Sequence, residues 1–234
     1  MTRSAPEFVS RDDWLKARKA LLDREKAFTK ERDALTAARQ AAPMVKIEKT
    51  YQFETLRGEE TLSDLFRGKS QLVVQHFMFG KAWTEGCPSC SFWADNFNGI
   101  EPHLAARNIS FVMVSTAPLN ILQAYRVRMQ WQFDWVSAEA CDFNQDFGVT
   151  FPDNEAGPTN GYNYSGKVFG EEGPGLSTFE AFDDGSIGHL YSTYGRGLDL
   201  LNGAYNLMDI TPQGRNEADL PFPQAWVRRK DQYG

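Results

Sequence analysis

Cysteine and histidine are scarce in this chain, with three of each among 234 residues. A structural zinc site needs four ligands at short spacings, yet no second C-x-x-C and no H-x-x-x-H accompanies Cys87 and Cys90. Cys141, His76, His103 and His189 stand singly, so the pattern argues against structural zinc. Positive charge is not in excess either: 25 basic residues against 31 acidic ones give a net charge of −6, which argues against nucleic acid or an anionic membrane as partner. Arg228, Arg229 and Lys230 read as a solvated tail. No run of about 18 uncharged apolar residues occurs. Met1-Thr2-Arg3-Ser4 leads into a charged segment without a signal-peptide core, and the expectation is a soluble protein of a reducing, cytoplasmic compartment. There the cysteines rest as thiols and Cys141 is a small buried hydrophobe.

Against these absences stands one concentrated feature, Cys87-Pro88-Ser89-Cys90, directly after the apolar run 72–79. Cys90, Trp93, Phe97, Ile100 and Leu104 recur at spacings of three and four, which predicts a single helix with Cys90 facing the core. Cys87 falls one turn earlier, at the N-cap, where unpaired backbone N–H groups and the helix dipole favour a thiolate. Pro88 suits the first helical position, because its missing donor costs nothing there and its φ is already helical. The spacing therefore predicts an accessible, acidified Cys87 and a shielded Cys90 able to close a disulfide behind it. A purely structural disulfide is disfavoured, since so short a loop removes little entropy from the unfolded chain.

With 41% hydrophobic and 13% aromatic residues the chain can bury a substantial core, and it reads as one main domain with an appendage. Residues 1–45 form an N-terminal helical arm: 10–39 is one long helix, with Ser10 and Asp13 in a capping-box-like arrangement and Trp14, Leu21, Leu22, Phe28 and Leu35 as a thin apolar stripe. The arm reads either as a homodimer contact or as a surface-packed helix. Residues 46–211 carry alternating strands and helices. The runs 72–79 and 109–114 suit strands covered on both faces, joined by a right-handed crossover. A helix follows from Pro118 to Met129, then a strand at 133–137 and a short helical turn at 142–147. Residues 153–175, dense in Gly, Pro and Asn, form a long loop in which Tyr162-Asn163-Tyr164 is a candidate functional segment. The turn Asp183-Asp184-Gly185-Ser186 joins an antiparallel hairpin, and 198–208 reads as one terminal helix. Pro212, Pro221 and Pro223 impose an extended tail over 212–234. The class is α/β.

This order of strand, C-x-x-C helix, strand, helix, strand and hairpin resembles a thioredoxin-like fold. Thr84-Glu85-Gly86-Cys87 is similar to the T-x-x-C end of the peroxiredoxin active-site pattern, with Gly80 where that pattern has proline. Trp135-Val136-Ser137 and Asp146-Phe147-Gly148-Val149 resemble the same branch. The string around Trp83 to Trp93, Tyr194-Gly195-Arg196-Gly197-Leu198-Asp199 and Ala204-Tyr205-Asn206-Leu207 resembles the bacterial family DUF899 over nearly the whole chain. The resemblance implies a cis-proline beside the dithiol and, for peroxiredoxins, a peroxide-binding arginine. Those positions fall at about Leu176-Ser177, where neither residue stands, which leaves Arg196 and Arg126 as candidate cations. It also implies a buried acid beneath the second cysteine, close to Gln75 or His76. His76 and Glu85 are the candidate proton acceptors, and Trp83 a candidate shield for the disulfide.

The expected activity is thiol-disulfide exchange without an organic cofactor: Cys87 attacks a protein or small-molecule disulfide, Cys90 resolves, and an external thiol reductant restores the dithiol. The alternatives are a thiol-dependent peroxidase, favoured by Thr84, and a copper-chaperone-like protein in which the two thiolates and His189 take a soft metal ion. The candidate site is thus Cys87, Cys90, Thr84, Trp83, His76, Ser177 and Arg196.

Overall fold

A computed structural model describes residues 7–234. They divide into two units, one ending at Pro43 and one beginning at Met44. In the first, α1 (Arg11–Gln40) is a helix of 30 residues. Ser10 caps it by accepting from the Asp13 backbone N–H, and its hydroxyl donates to the Asp13 carboxylate at 2.7 Å, closing both ends of the cap. None of its residues is buried within the unit.

The second unit is built on an eight-stranded mixed sheet in the order β1-β8-β7-β4-β5-β6-β2-β3. The strands are β1 (Val45–Lys46), β2 (Gln52–Thr55), β3 (Gly58–Thr61), β4 (Gln71–His76), β5 (Ile109–Ser115), β6 (Asp134–Ser137), β7 (Gly175–Ala181) and β8 (Ile187–Tyr194). β4, β5 and β6 run parallel, while β7 lies antiparallel to β4 and pairs with β8 as a hairpin. Parallel centre and antiparallel closing hairpin make this the thioredoxin-like α/β arrangement expected from the sequence. Central strands covered on both faces need apolar residues at successive positions, and all but the first residue of β5 are buried.

Because side chains alternate across a strand, β4 sends its residues to two different cores. Leu72, Val74 and His76 face the layer containing Phe53, Phe143 and Phe147. Val73, Gln75 and the following Phe77 face the layer containing Cys90, Trp93 and Trp135. Over that second layer lie α2 (Pro88–Ala94), α3 (Glu101–Ala105), α4 (Leu119–Arg128) and α6 (Gly203–Asp209), while α5 (Phe143–Asp146) belongs to the first.

Three sequence expectations need correction. The single helix carrying Cys90 through Leu104 is two helices, α2 and α3, broken at Gly99, whose φ of +86° only glycine adopts without strain. The stripe survives the break, with Cys90, Trp93 and Phe97 buried and Ile100 and Leu104 half-buried. Residues 198–208 are likewise divided, into a 3-10 turn over Gly195–Leu201 and α6, because Asn202 leaves the helix to cap the Tyr205 N–H. The trio Arg228, Arg229 and Lys230 is not solvated as a group: Val227 is buried, the Arg229 side chain is only 12% exposed, and Lys230 pairs with Asp95.

A candidate dithiol site

The loop 77–86 brings the chain from the end of β4 to the tip of α2. The Cys87 N–H donates to Met78 O at 3.2 Å, which pins the loop's far end against its start. Gly86 lies so close to Phe77 that a Cβ there would meet the ring at 2.7 Å, so a side chain at position 86 would displace the loop. Cys87 is the N-cap of α2 and Pro88 its first residue, as the spacing predicts. Cys87 Sγ accepts from the Cys90 N–H at 3.5 Å. Both cysteines are free thiols, Cys87 half-buried and Cys90 buried.

The two sulfurs have opposite acidities. Interaction with the Cys90 thiol is the largest influence on Cys87, burial opposes it, and the backbone N–H groups of Cys90 and Ser89 and the charge of Arg229 assist. The balance brings the Cys87 pKa from 9.0 down to about 7. Cys90 goes the other way, held well above its ordinary value by Cys87, by burial and by the charge of Glu172. One thiol is ready to ionise near neutrality while its partner keeps its proton.

Glu172 is the residue that sequence reasoning missed. It lies in the Gly- and Pro-rich loop, where its charge and that of Cys90 are mutually unfavourable. Burial raises its pKa from 4.5 to about 7, against the Thr116 hydroxyl and the Phe79 backbone that hydrogen-bond to it, and the Cys87 charge raises it further. An acid that is half-ionised at neutral pH, and whose charge acts on a thiol that must be deprotonated, is suited to taking up that proton. Its sequence signal, Glu171-Glu172-Gly173-Pro174, is no more than two acids in a flexible-looking loop.

Beside Cys90 opens a cavity of about 180 Å³, walled by Met78, Trp93, Leu198 and Pro174 and bordered by Gln75 and Arg196. Tyr162 braces one wall: its hydroxyl donates to Pro174 O at 2.6 Å and accepts from the Gly195 N–H at 2.8 Å. The 162–164 segment therefore reaches the site as a brace. A proline does border the dithiol, at 174 and not at 176–177, and its peptide bond is trans.

Other predicted site residues lie elsewhere. His76 and Ser177 face the opposite side of the sheet, in a buried chain from Asn144 Oδ1 to His76 Nδ1 (3.0 Å), His76 Nε2 to Ser177 Oγ (2.9 Å) and Ser177 to Ser192 (2.8 Å). The error is one of register: moving one residue along a strand changes faces, so Gln75 faces the dithiol and His76 cannot. His189 joins the far end of that chain through Ser192 at 2.8 Å, so it cannot complete a metal site with the two cysteines. Among the described residues no cluster of three or more His, Cys, Asp or Glu side chains is placed to hold a metal. Thr84 is exposed and forms no hydrogen bond to either sulfur. Trp83 folds back on Gly80, where an added Cβ would lie 3.0 Å from the indole nitrogen. Arg196 lines the cavity rim but its side chain is 91% exposed. Arg126 is spent on the Phe133 carbonyl at 3.2 Å. Glu85 is paired with Arg128 and Arg229, and the hydrogen bond from Arg128 holds its carboxyl below the usual range, so it is a poor proton acceptor. The cation at the dithiol is Arg229, from the C-terminal segment.

The sequence matches the family described as "Bacterial protein of unknown function (DUF899)" over residues 3–233. The chain belongs to the DUF899 family. No curated protein matches it. Solved structures similar to this DUF899 chain include peroxidoxin BcpB from Mycobacterium tuberculosis, at 17% identity and TM-score 0.44, covering 65% of this chain and 84% of that one. A mutant of peroxiredoxin Q from Xanthomonas campestris aligns at 13% identity and TM-score 0.45, covering 71% and 98%. A putative thiol:disulfide interchange protein DsbE from Chlorobium tepidum aligns at 11% identity and TM-score 0.39, covering 66% and 87%.

Burying His76 as the neutral imidazole has a measurable consequence. Burial lowers its pKa from 6.5 to about 4, so the unfolded chain binds a proton that the folded chain refuses. Stability is then complete above pH 6.5 and falls as pH drops toward 4, by roughly 3 kcal/mol from this group alone. Urea unfolding at pH 7 and pH 4.5 should show that loss, and a His76→Gln variant should lose less between the same two pH values. An equal loss in both proteins would place the acid sensitivity elsewhere.

Proposed function

We propose that this DUF899 protein is a thiol-disulfide oxidoreductase acting through Cys87 and Cys90. The observation that carries the reading is the asymmetric pair: Cys87 Sγ on the unpaired amides of α2 with its pKa near 7, and Cys90 buried behind it with its proton retained. The Cys87 thiolate attacks one sulfur of a substrate disulfide, forming a mixed disulfide and expelling the other sulfur as a thiolate. The Cys90 proton passes to the Glu172 carboxylate, and the Cys90 thiolate attacks Cys87 Sγ. That step breaks the mixed disulfide, expels the second substrate thiolate and closes the Cys87–Cys90 bond. Two electrons have moved from the dithiol to the substrate, and a thiol reductant returns them. No organic cofactor enters these steps.

Peroxide is the second oxidant to test, because the same thiolate can attack the terminal oxygen of a peroxide, breaking the O–O bond and expelling hydroxide or alkoxide, and the resulting sulfenic acid can condense with the Cys90 thiol, releasing water. Stopped-flow mixing of the reduced protein with an aromatic disulfide and with hydrogen peroxide separates the two. The proposal expects the disulfide to oxidise the dithiol faster at equal concentration; faster oxidation by peroxide reverses the assignment, and no oxidation by either removes both. The setting we infer is a reducing cytoplasm, where such a dithiol rests reduced. No helix among the described residues is long and apolar enough to cross a membrane.

For α1 the proposed partner is a second copy of the chain. Trp14, Leu21, Phe28 and Leu35 are 44%, 48%, 68% and 49% exposed, and they recur every seven residues, the repeat of a coiled-coil seam. Sedimentation equilibrium should find a dimer that becomes a monomer on the double substitution Leu21→Glu with Phe28→Glu, with the thiol chemistry retained. A monomeric wild-type protein would refute the pairing.

A further inference from the structure

Arg229 lies far from Cys87 in sequence, yet it holds the peptide on one side of the nucleophile directly. Its Nη2 and Nε donate to Gly86 O at 2.7 and 3.2 Å. Nε also donates to the Tyr125 hydroxyl at 2.9 Å, Tyr125 and Ser91 share a hydrogen bond of 2.9 Å, and Ser91 Oγ donates to Cys87 O at 2.8 Å. The carbonyls before and after the Cys87 side chain are thus gripped by one continuous network that ends in a guanidinium. Nη1 pairs with Glu85 at 3.0 Å, and the neighbours of Arg229 fasten the same segment, Lys230 to Asp95 at 3.0 Å and Asp231 to Arg128 at 2.6 Å. A guanidinium presents donors in a fixed planar fork, which suits it to holding a carbonyl and a hydroxyl at once.

We propose that the C-terminal segment around Arg229 is a positioning element of the dithiol, which clamps the backbone on both sides of Cys87 so that the amides of α2 stay aimed at its sulfur. This rests on the reading of Cys87 as the nucleophile. Arg229 bonds to the Gly86 carbonyl and the Tyr125 hydroxyl and not to the sulfur. It acts by fixing Gly86 and Cys87 and by placing a positive charge within reach of the thiolate, on which Cys90 also acts by its hydrogen bond and Glu172 by its charge. With the Gly86 and Cys87 carbonyls released, Cys87 can shift against the tip of α2, its sulfur drifts from the Ser89 and Cys90 N–H groups, and the thiolate loses donors that were oriented in advance. Docking and ionisation are then reciprocal: whatever loosens the segment raises the thiol pKa, and ionisation of Cys87 tightens the segment.

The test is the pH dependence of Cys87 alkylation by iodoacetamide, read by mass spectrometry in the full-length protein. Arg229→Met should move the midpoint upward by about half a pH unit or more, which slows alkylation at pH 6 about threefold. Tyr125→Phe, which removes only the hydroxyl that relays the grip and so spares the fold, should move it the same way by less. Lys69→Gln, which removes a positive charge outside this segment and its contacts, should leave it in place. A wild-type midpoint near 7 that neither Arg229→Met nor Tyr125→Phe shifts overturns the clamp alone. A wild-type midpoint near 9 removes the nucleophile assignment, and the clamp with it.

Discussion

With an aromatic disulfide in excess and no reductant, the wild-type protein releases two equivalents of coloured thiol, Cys90→Ser releases one, and Cys87→Ser releases none at a comparable rate. The stoichiometry follows from the geometry. Cys87 alone is both half-exposed and acidified, so it alone attacks from solution, and the expected loss on its removal is about a thousandfold or more in rate. Cys90 is buried and holds its proton, so its removal spares the first attack and leaves a mixed disulfide on Cys87 that mass spectrometry will find. One equivalent from Cys87→Ser together with none from Cys90→Ser would exchange the two roles.

The second large effect belongs to Glu172. In Glu172→Gln the first thiol should be released at nearly the wild-type rate and the second about 10- to 100-fold more slowly, because only resolution needs the Cys90 proton removed. The pH profile gives the sign. The carboxylate is the active form, so wild-type resolution speeds up as pH rises through about 7, and the variant loses that inflection. Folding supplies an independent check. A carboxyl whose pKa is raised from 4.5 to about 7 contributes stability that is complete below pH 4.5 and lost as pH rises through 7. At pH 8 the neutral amide should therefore be more stable than wild type, by about 1–3 kcal/mol. A variant that resolves at the wild-type rate would show that another group, or water, takes the proton.

The parts of this site that sequence reveals are those set by local periodicity. Cys87 at the cap and Cys90 beneath it follow from three- and four-residue spacing within one short segment, and both appear where expected. Strands β4 and β5 were legible because buried parallel strands read as unbroken apolar runs. What stayed hidden depends on which distant segments meet. Placing His76 under the dithiol required knowing the face of β4 to a single residue, and Gln75 holds that face. Glu172, Tyr162 and Pro174 arrive from a loop without periodicity, and Arg229 from a proline-rich tail whose ion pairs span more than a hundred residues. The strands β1 to β3 gave only a faint signal, Tyr51, Phe53 and Thr55 alternating with polar residues over too few positions to stand out. Thr84 shows the opposite failure, a motif match whose residue is exposed and bonds to neither sulfur.

The most direct measurement is which thiol of the folded, reduced protein is alkylated first, and at what pH. Iodoacetamide should label Cys87 with a half-maximal rate near pH 7 and leave Cys90 unlabelled until the protein is unfolded. Labelling of Cys90 before Cys87, or a Cys87 midpoint at 9 or above, would contradict the account at its root.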